Sequence, residues 1–92
     1  MHFVYLIVAK NKNCRISYVG YTNNLKKRLL LHNIGKGAKF TRGRKWNLIY
    51  FKRYKSKNIA LKEEYKLKKN YTLRKEIKNN YKKDENISSI TL

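Results

Sequence analysis

Hydrophobic runs alternate with polar breaks along the first half of the chain and predict a small sheet. Residues 3–9 (FVYLIVA) form a short run rich in β-branched and aromatic side chains, which is typical of a buried strand. Residues 15–21 (RISYVGY) follow a polar break and predict its hairpin partner. A third strand is predicted over residues 46–54 (WNLIYFKRY), beyond a segment rich in glycine and basic residues.

Helical segments fill most of the remaining chain. The polar residues TNN supply N-cap candidates for a helix over residues 25–33, which Gly35 ends. A second helix is predicted over residues 58–70, and Thr72 is the predicted N-cap of a third that continues to about residue 82.

The element order is therefore β-β-α-β-α-α, which indicates an α+β fold whose three strands are antiparallel or mixed. A chain of 92 residues has room for one modest core. We expect a single domain over residues 1–83 and a loosely ordered tail over residues 84–92.

The charge of the chain indicates what kind of molecule it binds. The chain carries 24 Lys and Arg against 5 acids, a net charge of +19, and no Asp or Glu precedes Glu63. An AT-rich coding sequence would explain part of the lysine excess, but it does not explain the absence of acids over two thirds of the chain. Such an unbroken basic field in a small domain is typical of nucleic-acid binding. A nucleic acid, DNA or RNA, is the expected partner.

The sequence argues against a membrane span, a secreted protein and sites built from cysteines. It has no apolar run of the ~18 residues that a membrane span requires, and its start lacks a signal-peptide cleavage site. An intracellular protein, cytoplasmic or nucleoid-associated and without a membrane partner, is expected. A single cysteine, Cys14, excludes an internal disulfide and a cysteine-based zinc site.

Four side chains stand out as candidates for chemistry. Arg28 and His32 lie four residues apart on one stripe of the first helix, at the edge of its apolar face. Tyr5 and Tyr18 lie in the middle of the two hairpin strands, so the hairpin can bring both phenols together. Each also has a structural alternative, since arginines often lie on solvated faces and buried tyrosines often only fill a core.

These residues belong to a longer pattern that resembles the GIY-YIG nuclease domain, and most closely its small stand-alone bacterial proteins. The resemblance covers about residues 2–75 and rests on five segments in order: VY at 4–5, YVG at 18–20, LKKRLLLHN at 25–33, GKGAKFTRGR at 35–44 and ALKEEYKLKK at 60–69. The first signature is degraded to Phe3-Val4-Tyr5, which keeps only the tyrosine, whereas the second is Tyr18-Val19-Gly20.

The resemblance implies a metal-dependent endonuclease that hydrolyses DNA and leaves a 5′-phosphate and a 3′-hydroxyl. Tyr5 would act as general base or orient the attacking water, and Tyr18 would position water or phosphate. Arg28 would contact the scissile phosphate, and His32 would assist proton transfer or hydrogen bonding. Glu64 would hold one divalent metal, Mg²⁺ or Mn²⁺.

The acids of the chain agree with a site that contains one metal ion. A two-metal site needs several carboxylates, and none precedes Glu63, so a single hydrated ion with few protein ligands is the feasible design. Glu64 is preferred to Glu63 because helical spacing places it on the apolar face, among Ala60, Leu61, Leu67 and Tyr71. The alternative is a salt bridge from Glu64 to Arg28.

The segment GKGAKFTRGRK also has two interpretations. Its cations could contact phosphates, which we favour, or the segment could be only a mobile connection. The candidate phosphate contacts are Lys36, Lys39, Arg42, Arg44 and Lys45.

Two functional alternatives remain beside the nuclease: a binding module of the same fold with little cleavage, and a generic RNA-associated basic protein. Without an appended base-reading module, selection of substrates by DNA structure is more compatible with the sequence than sequence specificity. A protein partner could supply further specificity, and the oligomeric state stays open.

Overall fold

The structure, a computed structural model, describes residues 1–11 and 14–83, so the predicted tail lies outside the described residues. The elements follow the predicted order β-β-α-β-α-α, with one additional short 3₁₀ helix, η1. Their bounds are β1 His2–Asn11, β2 Cys14–Thr22, α1 Leu25–Asn33, η1 Lys39–Thr41, β3 Asn47–Tyr54, α2 Lys57–Lys69 and α3 Tyr71–Lys83.

The three strands form one sheet in the order β2-β1-β3, and both pairings are antiparallel. The prediction of an α+β fold is confirmed, and the antiparallel alternative is the observed one. In the hairpin, Tyr5 pairs with Gly20 and Ile7 pairs with Tyr18. These four residues therefore lie on the same face of the sheet, because residues paired across an antiparallel ladder point to the same side.

The central strand β1 is buried on both faces, which explains its continuous apolar run. Val4, Leu6 and Val8 pack with Ala60 and Leu67 of α2 on one face. The other face carries Tyr5, Ile7 and Ala9, which pack with Leu25 of α1 and with Trp46 and Leu48. We call this second side the α1 face.

One predicted helix cap is observed and one is not. The Asn24 side chain accepts a hydrogen bond from the amide of Lys27 at 3.1 Å and caps α1 as expected. The predicted N-cap of α3, Thr72, is wrong because that residue lies inside the helix. Asn70 takes the position instead: its side chain accepts from the Leu73 amide at 3.0 Å. Asn70 also ends α2, so a single residue separates the two helices.

The apolar face of α2 is narrower than predicted. Ala60 and Leu67 are buried against the sheet, whereas Leu61 and Tyr71 are exposed. Only the stripe that contains the first two contacts the core, so helical spacing overestimated the covered surface. Within the described ranges, no helix has the length and apolar character needed to cross a membrane.

Candidate active site

A chain of three buried polar side chains lies on the α1 face. The Tyr5 hydroxyl is 2.7 Å from Nε2 of His32, and Nδ1 of His32 is 2.9 Å from Oγ1 of Thr41. All three residues are buried, His32 and Thr41 completely. His32 was predicted at the edge of the apolar face of α1, and that placement is wrong, because η1 and the loop around it cover the ring.

The hydrogen bonds of Thr41 favour one of the two neutral tautomers of His32. The Thr41 hydroxyl donates its one hydrogen to the carbonyl of Ala38 at 2.9 Å and also accepts from the Ala38 amide at 3.2 Å. It must therefore accept, not donate, in its contact with Nδ1 of His32. Since a neutral imidazole has one N–H, Nε2 is the acceptor and the Tyr5 hydroxyl is the donor.

Two glycines make room for the Tyr5–His32 pair. A Cβ atom at Gly20, which pairs with Tyr5 across the hairpin, would overlap the phenol of Tyr5. A Cβ atom at Gly37 would overlap the imidazole of His32. The last residue of the YVG motif and one glycine of the following loop are thus required by close packing.

Burial shifts both members of the pair away from their charged forms. It raises the pKa of Tyr5 to about 12, although the hydrogen-bonding and positive charge of Arg28 act in the opposite direction. Burial also lowers the pKa of His32 to about 4, and the positive charge of Arg28 contributes to this shift. At neutral pH, Tyr5 is protonated and His32 is uncharged, which agrees with the donor and acceptor assigned above.

Arg28 brings a cation to this pair. Its side chain lines a small apolar void with Tyr5 and the apolar side chains around it. Its Nε atom is buried and has no hydrogen-bond partner among the residues that the structure describes. An unsatisfied buried donor costs about 1–3 kcal/mol, and more when it is charged. An anionic ligand at this position would remove that cost.

Tyr18 completes the group around His32. Its ring packs edge-on against the imidazole, with the centroids 5.2 Å apart and the planes at 62°. The structure therefore brings Tyr5, Tyr18, Arg28 and His32 together, as the hairpin and helix spacing predicted. Their catalytic roles stay predictions.

Glu64 approaches this group from α2. Its side chain is 19% exposed and that of Glu63 is 33% exposed. The negative charge of Glu64 contributes to the raised pKa of Tyr5, whereas that of Glu63 contributes to the raised pKa values of Tyr50 and Tyr54, where burial is the larger cause. Of these two acids, Glu64 is therefore the one whose charge contributes to the pKa shift of Tyr5.

The Glu64 carboxylate is the side chain that could coordinate a metal ion at this group. Within residues 1–11 and 14–83, no group of three or more His, Cys, Asp or Glu side chains is placed to hold a metal. The ion pair that the structure gives Glu64 is with Lys68 at 3.7 Å, not with Arg28 as in the predicted alternative. This loose, partly exposed contact leaves its oxygens accessible. A single carboxylate fits Mg²⁺, which keeps several waters and takes other ligands from substrate phosphates.

The basic loop, defined as residues 35–45, contains the short helix η1, which was not predicted. Its candidate phosphate contacts are exposed or half-buried, with Arg44 the least exposed: Lys36, Lys39, Arg42, Arg44 and Lys45. Between them, η1 places Thr41 under the imidazole, and the indole N–H of Trp46 donates to the Thr41 carbonyl at 2.8 Å. Sequence analysis did not identify Thr41, because one threonine among cations carries no signal of burial.

Comparison with known proteins places these residues in a family context. The family model described as the GIY-YIG catalytic domain matches residues 1–85. A UPF0213 protein of Oceanobacillus iheyensis is 44% identical over 68 residues, 73% of this chain and 76% of the relative. A UPF0213 protein of Clostridium perfringens is 44% identical over 70 residues, 75% and 72% of the two chains. The UPF0213 protein YazA of Bacillus subtilis is 40% identical over 77 residues, 83% and 75% of the two chains. No solved structure matches this chain significantly.

Proposed function

Because this chain belongs to the GIY-YIG family, we propose that it is a divalent-metal-dependent endonuclease that hydrolyses phosphodiester bonds in DNA. The observation that carries the proposal is the buried hydrogen bond from the Tyr5 hydroxyl to Nε2 of an uncharged His32. A buried phenol whose proton is already directed at a free base is suited to proton transfer. A tyrosine that only fills a core also needs a hydrogen-bond partner, but that partner does not have to be a group that can take up a proton.

The proposed proton path starts at the attacking water. As the water oxygen bonds to phosphorus, its proton passes to the Tyr5 oxygen while the Tyr5 proton passes to Nε2 of His32. The bond from phosphorus to the 3′ oxygen breaks, and this oxygen takes a proton from solvent water, which leaves a 5′-phosphate and a 3′-hydroxyl. Thr41 is a positioning residue in this scheme, because it keeps the proton of His32 on Nδ1 and leaves Nε2 free.

Arg28 and Tyr18 are proposed to hold the phosphate. The unsatisfied Nε of Arg28 supports this role, since a guanidinium can donate two parallel hydrogen bonds to phosphate oxygens and stabilise their developing charge. Tyr18 packs on His32, and from there its hydroxyl would position the attacking water or a phosphate oxygen.

Glu64 is proposed to hold the metal ion, Mg²⁺ or Mn²⁺. When bound, the ion would supply positive charge next to the phosphate and an ordered set of waters. The remaining contacts are proposed for the exposed cations of the basic loop, which lies next to the helix that carries Arg28 and His32. These cations would neutralise backbone phosphates on either side of the cut.

The test is incubation with DNA duplexes, flaps, junctions and single strands in Mg²⁺, Mn²⁺ or EDTA. Cleavage that requires metal and disappears in Tyr5→Phe would support the proposal, and the variant excludes a contaminating nuclease. The phenylalanine keeps the ring volume but leaves Nε2 of the buried His32 without its donor, so the variant should lose about 1–3 kcal/mol of stability and still fold, which circular dichroism checks. Tight binding to every DNA without cleavage by the parent protein would refute the proposal in favour of a binding module.

A further inference from the structure

Phe40 is an exposed aromatic side chain in the middle of the basic loop. It is 49% exposed, yet its ring stacks on Tyr18 with centroids 6.2 Å apart and planes at 21°. A lone exposed aromatic residue has no special meaning on a protein surface. The position of Phe40 is informative, because Tyr18 packs on His32 and Phe40 is therefore the second ring outward from the buried Tyr5–His32 pair.

Arg44 is held against Phe40 by two contacts. Its guanidinium carbon lies 5.4 Å from the centroid of the Phe40 ring, and its Nη1 donates to the Phe40 carbonyl at 2.7 Å. An aromatic ring and a guanidinium both offer flat surfaces on which nucleobases stack. The exposed neighbours Lys39 and Arg42 add charge that would attract the phosphates on either side of such a base.

We propose that Phe40 and Arg44 form a stacking platform for an unpaired nucleobase of DNA next to the scissile phosphate. In a continuous duplex each base is stacked between its neighbours, so the platform is used only where a base is free. The preferred substrates are then single strands, flaps and frayed ends. That the bound base lies next to the scissile phosphate rests on the proposed function, whereas binding of an unpaired base to Phe40 and Arg44 does not.

The first experiment measures binding without cleavage, by fluorescence anisotropy in EDTA, on a single strand and on a duplex of the same sequence. Phe40→Ala should weaken single-strand binding about 5- to 100-fold, and duplex binding by less than about 2-fold. Tyr71→Ala is the matched control, because Tyr71 is 63% exposed with the Arg74 guanidinium carbon 5.8 Å from its ring, outside the basic loop. It should change neither affinity by more than about 2-fold.

A second variant separates stacking from folding of the loop. Phe40→Leu keeps an apolar side chain against Tyr18 and Trp46 but removes the aromatic face. A 2-aminopurine base in the single strand should be quenched by the parent protein and by Tyr71→Ala, and much less by Phe40→Leu at a concentration that saturates binding.

Equal losses on single strand and duplex, or undiminished quenching by Phe40→Leu, would overturn the platform. So would a loss in Tyr71→Ala as large as that in Phe40→Ala. These results are independent of catalysis. If no DNA were cut, the proposed function would fail, while a selective single-strand defect in Phe40→Ala and Phe40→Leu would still support the platform.

Discussion

Replacing Thr41 with valine tests whether this residue sets the tautomer of His32. The two side chains have nearly the same shape, so the change removes the hydroxyl without opening a cavity. The Nδ1–H of His32 loses its acceptor at 2.9 Å, and the backbone of Ala38 loses contacts at 2.9 and 3.2 Å. An unsatisfied buried donor costs about 1–3 kcal/mol, and the half-buried Ala38 groups add about 1 kcal/mol because water can partly replace the lost bonds.

The predicted loss of unfolding free energy is therefore about 2–4 kcal/mol, or roughly 10–30 °C in the melting temperature of a domain of this size. The protein can reduce this loss if the proton of His32 moves from Nδ1 to Nε2. The imidazole would then donate to the Tyr5 oxygen and could no longer accept its proton. Cleavage should fall about 100-fold or more, the range expected for loss of general base catalysis.

The assay that isolates the tautomer is ¹⁵N NMR of the imidazole nitrogens, which is simple here because the chain has only 2 histidines. The parent should show Nδ1–H at His32, and Thr41→Val should show Nε2–H or a mixture. Thr41→Ser keeps the hydroxyl, so it should restore the parental tautomer and most of the activity, with a cost of about 1 kcal/mol for the lost methyl group. A valine variant with the parental tautomer and parental turnover would refute the positioning role.

Further substitutions test the metal, the phosphate contact, the buried base and the basic loop. Glu64→Gln should abolish turnover while metal-free DNA binding stays level or tightens, and Glu63→Gln should remain active; equal activity of Glu64→Gln and the parent would remove Glu64 as the ligand. Arg28→Lys should lose most of its cleavage activity in a gel assay, because an ammonium cannot replace the planar guanidinium. The charge of the protein is unchanged, and an unchanged circular dichroism spectrum would show that the fold is kept. Because the pKa of His32 is lowered, the unfolded state binds a proton at this residue below pH ~6.5, whereas the folded state binds it only near pH 4. The free energy of unfolding should therefore be highest above pH ~6.5 and fall by up to ~3 kcal/mol as the pH drops to 4. Chemical denaturation of the parent and His32→Gln should show that this part of the pH dependence is absent from the variant. Alanine at Lys39 and Arg42 should flatten the salt dependence of duplex binding by ~0.9 in log K against log salt per lost phosphate contact; an unchanged slope would exclude these cations as contacts.

The fold was predictable because its main signals are local and strong. The apolar run of β1, the TNN cap of α1 and the hairpin spacing each act over a few residues, and all were confirmed. The N-cap of α3 had no signal of that strength, and the predicted residue, Thr72, was wrong. Asn70 and Thr72 are both good caps, and the choice depends on where α2 ends, which is decided by packing against the sheet.

The candidate site was predictable only as far as motif and spacing extend. Tyr5, Tyr18, Arg28 and His32 meet as expected because a hairpin and one helical turn fix their relative positions. The complete burial of His32 was not predictable, because it depends on Thr41, nine residues away. Nor does the sequence reveal that Gly37 is needed to let the chain pass close to the imidazole.

The net charge of +19 limits which experiments bear on this site. A protein with that charge will bind DNA through long-range attraction, whatever its active site does, and removing any cation will weaken the binding to some degree. Loss of affinity in a lysine or arginine variant is therefore weak evidence for a specific role. Substitutions that leave the charge unchanged are more informative: Thr41→Val and Tyr5→Phe each remove one hydroxyl, and Phe40→Leu removes one aromatic face. A defect in any of them cannot be attributed to the electrostatic field, because that field is the same in the variant and the parent.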